Sequence, residues 1–555
     1  MSPRPSDDEQ GSKSASNELV SHPPHDEKKI ATPATEANPG GLTYTSGWRL
    51  HLITAGLCLG LFLVNFEVTV VSTALVSITN NLQDYARSSW IITAYLLTYT
   101  GCLVIWARLS DIIGRKWACV SSFFIFAAWS GACGGAQTMV QLIIFRVLQG
   151  VGGSGMYGMT TIMLYELVPP AKFPLYTTFV MILFAIGFAL GPVLVIRDEY
   201  QLWDHANVAA LGKCAIGLAR GASALLHYSQ PLPSPRACHP PPRASFKTFD
   251  FIGSTSTLAG VTLLITGLEE AAASLRWKTA LTIGPLCASG VAWGCFLRAS
   301  GTSAAQEGPE YSLFSPGAFA KIESSWASMN TFMTGAVSVT CVVLIPFRYQ
   351  TAAGLSPLQA GARLILFSGA SPIGAIVAAA LCKKRRVPPL YIMMFGEILQ
   401  ILGLVLATTL LTSSNDRDEP ALYGLQVCIG FGMGFVMGTA TLLTPAIAER
   451  RDLAVASAAV VQFRFLGGAV ILSIATAVGN IWIRNSLCDV LSTEQLKALF
   501  RSTQSINRLP ADVHNEVRGH FVHSFNMQMR IVLGVAVAAF LSSLMMWKKP
   551  QIRVP

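Results

Sequence analysis

The chain has 555 residues, of which 52% are apolar or aromatic and only 13% are charged. A soluble chain of this length would form roughly three or four domains, and soluble domains carry about 25% charged residues. The composition therefore excludes a string of soluble domains and indicates an all-α membrane protein. The net charge of +10 does not predict nucleic acid as a partner, because basic residues gather on the cytoplasmic side of membrane proteins.

The N-terminal segment differs from the rest of the chain. Residues 1–46 are polar, charged and rich in Pro and Ser, without the apolar core that a secretory signal needs. We expect a disordered cytoplasmic tail there. The 12 cysteines of the whole chain lie singly, with no CxxC or Cys/His cluster, so their spacing predicts neither a metal site nor a disulfide framework. No cofactor is expected.

Apolar stretches of the roughly 20 residues that cross a bilayer follow one another from residue 47 onward. Fourteen are predicted, and they begin near Leu50, Ser88, Trp117, Met139, Leu175, Ala206, Phe251, Thr279, Ser325, Ala360, Pro389, Ala421, Leu453 and Met527. The sixth is weak because it carries Lys213 and Arg220. The polar segment 485–525 is expected to be an external loop.

Basic residues in the connections predict the orientation. If the N-terminal tail is cytoplasmic, the even-numbered connections hold most of the basic residues, including the run Lys383–Arg386. That asymmetry favours cytoplasmic N- and C-termini, with residues 548–555 as a second cytoplasmic tail. We expect a monomer surrounded by the lipid bilayer, in the plasma membrane or, as the alternative, in the vacuolar membrane.

The connection after the second segment contains Asp111, Gly114, Arg115 and Lys116. Asp111 is expected near the start of the third helix, where unpaired N–H groups favour a carboxylate. Gly114 is expected to let helices approach closely, and the two basic residues to pair with carboxylates or lipid phosphates. The spacing resembles the Gly-x-Leu-x-Asp-x-x-Gly-Arg-Lys loop of the major facilitator superfamily, with Ala107 in place of the first Gly. The resemblance implies a cytoplasmic latch.

The fourth segment contains Arg146, Gln149 and Gly150, followed by further glycines. An arginine at this depth costs about 2.5–3.5 kcal/mol on insertion scales, so it should face a cavity or a partner. The glycines should allow another helix to approach closely. The pattern resembles the Arg-x-x-Gln-Gly motif of the same superfamily, whose arginine is implicated in proton coupling. The alternative is a structural arginine held by backbone carbonyls.

The fifth segment contains Gly187, Gly191 and Pro192 in the order Gly-x-x-x-Gly-Pro. Without the proline this spacing is a helix-packing motif. With it, the stretch resembles the element associated with exporters of the superfamily. The further glycines of that element are missing here, where Val193–Ile196 follow instead.

Three more charges lie within apolar segments and are expected to act in proton coupling or substrate binding. Glu67, in the first segment, resembles the acidic residue of fourteen-span drug/proton antiporters, although Asp is commoner there; the alternative is a buried partner for an arginine. Glu397 is expected either to line a cavity or to be structural. Arg464 resembles the arginine of a Gln-x-Arg-x-x-Gly-Gly stretch in that branch, and either pairs with Glu397 or lines the central cavity.

The resemblance fails between about Val193 and Ser245, where charges and prolines interrupt the apolar pattern. One account is a divergent helix whose charges line a cavity. The other, which we favour, is a defective gene model in which the true sequence has an uninterrupted apolar sixth helix.

Outside that interval the resemblance covers about residues 45–550 and implies the major facilitator fold. It divides the chain into an N-terminal six-helix bundle at 47–248, two extra central helices at 249–300 with a connection to 323, and a C-terminal six-helix bundle at 324–547. It implies a proton-coupled exporter of a small amphipathic molecule, such as a toxin, drug or secondary metabolite, similar to fungal efflux pumps. Siderophore or basic amino acid transport and a transporter-like nutrient sensor are the alternatives. The chain has no phosphate-binding loop or nucleophile elbow, so an enzyme is not expected.

Overall fold

The computed structural model describes the chain in several ranges. They are residues 48–168, the single positions 176, 179, 183, 186, 187 and 190, and then 251–274, 278–306, 322–384, 387–410, 420–447, 453–502, 510–547 and 551. The predicted tail at 1–46 and the interrupted stretch at 193–245 lie outside the described residues, as do Gly191 and Pro192.

The described residues form thirteen α-helices and a short 3-10 turn at Tyr85–Arg87, and they contain no strand. The helices are α1 (Trp48–Leu82), α2 (Ser88–Ile113), α3 (Arg115–Cys133), α4 (Met139–Leu167), α5 (Phe251–Ser274), α6 (Ala280–Gln306), α7 (Ile322–Thr351), α8 (Pro357–Lys384), α9 (Pro389–Leu410), α10 (Pro420–Ile447), α11 (Leu453–Leu487), α12 (Thr493–Arg501) and α13 (Ala511–Met545).

Eleven described helices are long and apolar enough to cross a membrane. In lipid, a helix satisfies its own backbone hydrogen bonds, which is why an apolar run of this length folds as one. The all-α membrane class is therefore confirmed. Fourteen spans are not confirmed. The third predicted segment forms α3, which is not among the eleven, and the predicted segment near Ala206 and most of the one near Leu175 lie outside the described residues.

The segment 485–525 is more helical than the expected loop. It contains α12, whose capping box joins Ser492 and Gln495, and the first turns of α13. The reason is local packing: Leu499 of α12 and Phe521 of α13 are buried in one apolar cluster with Leu487 of α11. A hydropathy average misses such helices, because only one face of each is apolar.

The long helices form two halves. In the first half, α4 packs along α2, α3 and α1. In the second half, α10 packs between α8 and α9, while α7 packs against both α11 and α13. The halves meet mainly where α2 lies against α11 and where α1 lies against α7 and α8.

The pair α5 and α6 lies beside this junction. Helix α5 packs against α6, against α2 of the first half and against α11 of the second half. Helix α6 stands further out and exposes Leu281, Val291 and Leu297. A row of large exposed apolar side chains on a long apolar helix is what a lipid-facing surface requires. The pair thus contacts both halves on one side and presents exposed apolar side chains on the other.

Short connections join α1 to α2 and α2 to α3, and they lie at the opposite ends of α2. We call the end with the connection between α1 and α2 the 83–87 end, and the end with the connection between α2 and α3 the 114 end. Hydrogen bonds tie the halves together towards the 83–87 end. Gln350 Nε2 of α7 donates to the Thr73 carbonyl of α1 at 2.9 Å, and Ser502 Oγ donates to Asn80 Oδ1 at 2.8 Å.

Candidate functional site

A buried ion pair lies between α1 and α4. A guanidinium nitrogen of Arg146 stands 2.7 Å from Glu67 Oε1. The Arg146 side chain is 2% exposed and that of Glu67 is 16% exposed. The sequence predicted an intramembrane partner or cavity for both residues, and each is the other's partner. Taking such a pair out of water is costly unless further hydrogen bonds satisfy the remaining donors and lone pairs.

Arg146 has those further bonds. Its Nε donates to the Ile91 carbonyl of α2 at 3.1 Å, and NH1 donates to Gln149 Oε1 at 2.6 Å. Gln149 Nε2 in turn donates to Ser130 Oγ of α3 at 2.6 Å. Arg146 therefore has the backbone carbonyl contact that the structural alternative expects, and a carboxylate partner besides. One charge network holds α1, α2, α3 and α4 together.

Glycines bring the helices close enough for this network. A Cβ on Gly150 of α4 would overlap the carbonyl oxygen of Tyr95 on α2, and one on Gly152 would overlap the backbone of Phe126 on α3. On the α1 side, a Cβ on Gly187 would lie 2.9 Å from the Phe62 carbonyl oxygen. These positions need glycine because backbone stands where a side chain would be.

The Asp111 connection has a different geometry from the one expected. Asp111 lies in the last turn of α2 rather than at the start of α3, and one of its carboxylate oxygens stands 2.7 Å from a guanidinium nitrogen of Arg115. Gly114 joins α2 to α3 with φ of 90°, and open space surrounds the place of its missing Cβ. Its glycine is therefore required by backbone conformation, not by close helix approach. Lys116 is half-buried in the first turn of α3.

A row of aromatic rings leads from the ion pair to the second half. The Arg146 guanidinium lies 4.9 Å from the centre of the Tyr95 ring, and the Tyr95 and Tyr99 ring centres are 5.6 Å apart. Tyr99 meets Phe465 of α11 edge-on at 4.6 Å. We call Tyr95, Tyr99, Tyr157 and Phe465 the aromatic row. It crosses the junction between the halves.

Two cavities lie between the halves on either side of the aromatic row. The cavity towards the 114 end is lined by Tyr157, Thr161, Thr331, Thr334, Val436, Met437, Ala440, Thr441, Thr444, Ser457, Val460, Val461 and Arg464. The cavity towards the 83–87 end has a lining that includes Leu75, Ser88, Ser89, Phe347, Arg348, Leu472, Thr476, Asn480 and Phe525. Both halves contribute to each lining.

Arg464 and Glu397 are not brought together. Arg464 lines the 114-end cavity, and its guanidinium donates to Tyr157 Oη at 3.2 Å. Glu397 lies between α7, α9 and α13, where Asn330 Nδ2 and Ser543 Oγ each donate to one of its carboxylate oxygens at 2.6 Å. Arg464 was expected either to pair with Glu397 or to line the central cavity, and the structure places it in a cavity lining. Glu397 ties three helices of one half together.

Several residues of this region were missed by the sequence reasoning. The tyrosines of the aromatic row carry no signal in a single sequence, since buried tyrosines in apolar helices are common. Glu269 did carry a signal: it is a carboxylate inside the apolar stretch of α5, the same feature that singled out Glu67. Its side chain is fully buried. No group of three metal-ligating side chains occurs in the described part of the chain.

A multi-span bundle of two halves, with cavities between them lined from both sides, has the architecture of a membrane transporter. The family model of the Major Facilitator Superfamily matches residues 57–472. The chain belongs to the major facilitator superfamily. It is accordingly a transporter of small molecules and not an enzyme.

Relatives and solved structures agree with this placement. The chain is 32% identical to the MFS-type transporter FPY5 of Fusarium mangiferae, over 95% of this chain and 88% of that protein. It is 23% identical to the efflux pump bfoC of Aspergillus brasiliensis, over 93% of this chain and 90% of that protein. Its fold is similar to an inward-facing bacterial homologue of the human lysosomal transporter Spinster, with a TM-score of 0.62, 13% identity, and coverage of 91% and 100%.

Proposed function

We propose that the chain exports a small amphipathic molecule in exchange for protons, across the plasma membrane, with the 83–87 end outside. The observation that carries the proposal is the buried pair of Glu67 and Arg146, which the aromatic row connects to the cavity beside Arg464. When a proton binds a carboxylate that is paired with a guanidinium inside a membrane, the net charge of the pair changes from zero to +1. The proposal therefore assigns the proton to Glu67 and the cargo to the 114-end cavity.

The geometry supports a specific coupling step. Protonation of Glu67 removes its negative charge and weakens the 2.7 Å contact with Arg146. Arg146 keeps its charge, which is then stabilised by its remaining contacts with the Ile91 carbonyl, Gln149 and the Tyr95 ring. Tyr95 and Tyr99 lie next to each other and next to the second half. A shift of Arg146 is thus passed along the aromatic row towards the cavity.

The lining of the 114-end cavity supports the kind of cargo. It combines hydroxyl groups of threonine, serine and tyrosine with the apolar side chains of valine and methionine. Arg464 is the charged side chain in its described lining. Such a mixture suits a molecule with an apolar body and a polar group that accepts hydrogen bonds, such as a carboxylate, phenolate or carbonyl, placed towards Arg464.

The direction of transport is supported by the Aspergillus relative, which is named an efflux pump. Bonds between the halves towards the 83–87 end fit a form closed on the outside and able to load cargo from the cytoplasm. The latch residues Asp111, Gly114, Arg115 and Lys116 then lie on the cytoplasmic side.

Metabolite profiling in the source organism tests the proposal and identifies the cargo in the same experiment. We compare medium and cells by untargeted mass spectrometry for the intact gene, a deletion and Glu67→Gln, which keeps the shape of the side chain but cannot bind a proton. Compounds whose amount falls in the medium and rises in the cells when the gene is deleted are the cargo. Glu67→Gln, at equal protein level, should give the same changes as the deletion. Compounds accumulating in the medium on deletion would reverse the direction, and normal export by Glu67→Gln would refute the coupling role.

A further inference from the structure

Glu269 lies near the C-terminal end of α5, where the extra pair meets both halves. Its Oε2 accepts a hydrogen bond from Ser89 Oγ of α2 at 2.6 Å, and its Oε1 accepts one from Ser473 Oγ of α11. The Thr93 hydroxyl of α2 is a third neighbour. Since α2 belongs to the first half and α11 to the second, one buried carboxylate bridges the two halves through α5.

The neighbours of this carboxylate are hydroxyl groups. The elements packed against α5 are α2, α6, α11 and the 3-10 turn. The titratable and charged groups on them, together with the one on α5 itself, are Tyr85, Arg87, Tyr95, Tyr99, Cys102, Arg108, Asp111, Cys287, Cys295, Arg298, Arg464, Arg484 and Glu270. None of these contacts the Glu269 carboxylate, whose contacts within the described residues are Ser89, Ser473 and Thr93. On α11, Arg464 is nine residues from Ser473, or about 13 Å along the helix axis.

A buried carboxylate in this position is far more stable when it carries a proton. The effective penalty of burying an unpaired ion is several kcal/mol, and hydrogen bonds from hydroxyl groups offset only part of it. A protonated carboxyl is neutral, can donate one bond and still accepts others. Water would stabilise the ionised form, and the 83–87-end cavity reaches one of the carboxylate's partners, since its lining includes Ser89.

We propose that Glu269 is a second proton-binding site, and that proton binding there closes the 83–87 end while proton release opens it. The inference rests on the proposed function for alternating access and for the outward position of this end. It does not depend on Glu67. In an exporter, a proton taken from outside by Glu269 would close the outer end after the cargo has left, and would return the protein to its loading form.

Distance measurements between spin labels test this without any cargo. Asn81 of α1 and Glu494 of α12 are exposed at the 83–87 end, one in each half. Both are changed to cysteine and spin-labelled. Beforehand, Cys287, Cys295 and Cys488, which are exposed among the described residues, and Cys214 and Cys238, which lie outside them, are changed to serine. The full-length protein in lipid nanodiscs is then measured by pulsed electron paramagnetic resonance over a series of pH values.

We expect a short-distance population at low pH and a longer one at high pH, with their ratio changing by up to about tenfold per pH unit, as for one titrating group. Glu269→Gln should keep the short distance at every pH. Glu270→Gln, the same substitution one residue further on, should titrate like the parent. A Glu269→Gln protein that opens with rising pH like the parent, or a parent without the longer population at any pH, would overturn the proposal.

One further variant, Glu67→Gln, separates this inference from the Glu67 proposal. Glu67→Gln should retain the pH-dependent opening. If Glu67→Gln abolishes it and Glu269→Gln does not, the inference fails while proton coupling through Glu67 stands. If Glu269→Gln is unstable, infrared spectra of the parent supply the test: the carbonyl band of a protonated buried carboxyl must vanish as the pH rises and must shift in Glu269→Asp. A band that does neither refutes the assignment.

Discussion

At the scale of single residues, the ion pair of Arg146 and Glu67 depends on the shape of the arginine side chain as much as on its charge. Three nitrogens in one plane allow Arg146 to reach Glu67 on α1, the Ile91 carbonyl on α2 and the Tyr95 ring at the same time. A lysine ammonium is a point charge on a flexible stem and cannot satisfy this set together. Charge alone should therefore not preserve the function.

Arg146→Lys should reduce transport by roughly tenfold to a hundredfold, which corresponds to the loss of one hydrogen bond of a charged group, about 1.5–3 kcal/mol. The measurement is the initial rate of export of the cargo found by metabolite profiling, at equal protein level in the membrane. Arg530→Lys, at an exposed arginine of α13, is the matched control and should transport normally. Equal rates for Arg146→Lys and the parent would show that only charge matters at this position.

The residue scale also shows what sequence can and cannot supply. An intramembrane charge is conspicuous, so Glu67, Arg146, Glu397 and Arg464 could be singled out without a structure. Their partners could not, because a pairing such as Arg146 with Glu67 joins residues that are far apart in the chain. For Arg464, the sequence left Glu397 and the cavity as equal options, and only the packing of α4 against α11 places Tyr157 beside it.

At the scale of helices, apolar length predicted the described membrane helices well, since lipid leaves the backbone few alternatives to a helix. The prediction failed to detect the helices in the 485–525 segment because α12 and the start of α13 are polar on one face. It also misplaced Asp111, because the helix boundary depends on the positive φ of Gly114, which a sequence does not reveal. The glycine spacing on α4 was more informative. Substitutions at two of its glycines, Gly150 and Gly158, are expected to differ in their effect on stability.

Gly150→Ala should destabilise the folded protein by about 1–3 kcal/mol, the usual cost of forcing extra atoms into a packed core. The added methyl group would overlap Thr98 and the backbone of Tyr95, whereas at Gly158 of the same helix the nearest atom, the Leu103 carbonyl oxygen, is 3.6 Å away. Gly158→Ala is therefore the control and should be tolerated. Thermal unfolding in detergent compares the two, and equal melting temperatures would contradict the close approach of α4 to α2.

At the scale of the whole molecule, transport requires the two halves to separate at one end while they close at the other. Towards the 83–87 end, the halves are joined by bonds between Gln350 and Thr73 and between Ser502 and Asn80, and by the Glu269 bridge. These contacts link residues at least 180 positions apart, so no periodicity in the sequence could reveal them. They identify the surfaces that must come apart when cargo is released.

A short covalent link across this junction should therefore stop transport. Asn80→Cys combined with Ser502→Cys places two thiols where the native side chains touch at 2.8 Å, and oxidation or a short bifunctional maleimide would hold the halves together. Export should fall to background on oxidation and recover when the disulfide is reduced, because the cargo can enter from the 114 end but cannot leave. Each single variant, treated in the same way, should keep exporting. A cross-linked double variant that exports at the parent rate would mean that the halves do not separate at the 83–87 end during transport.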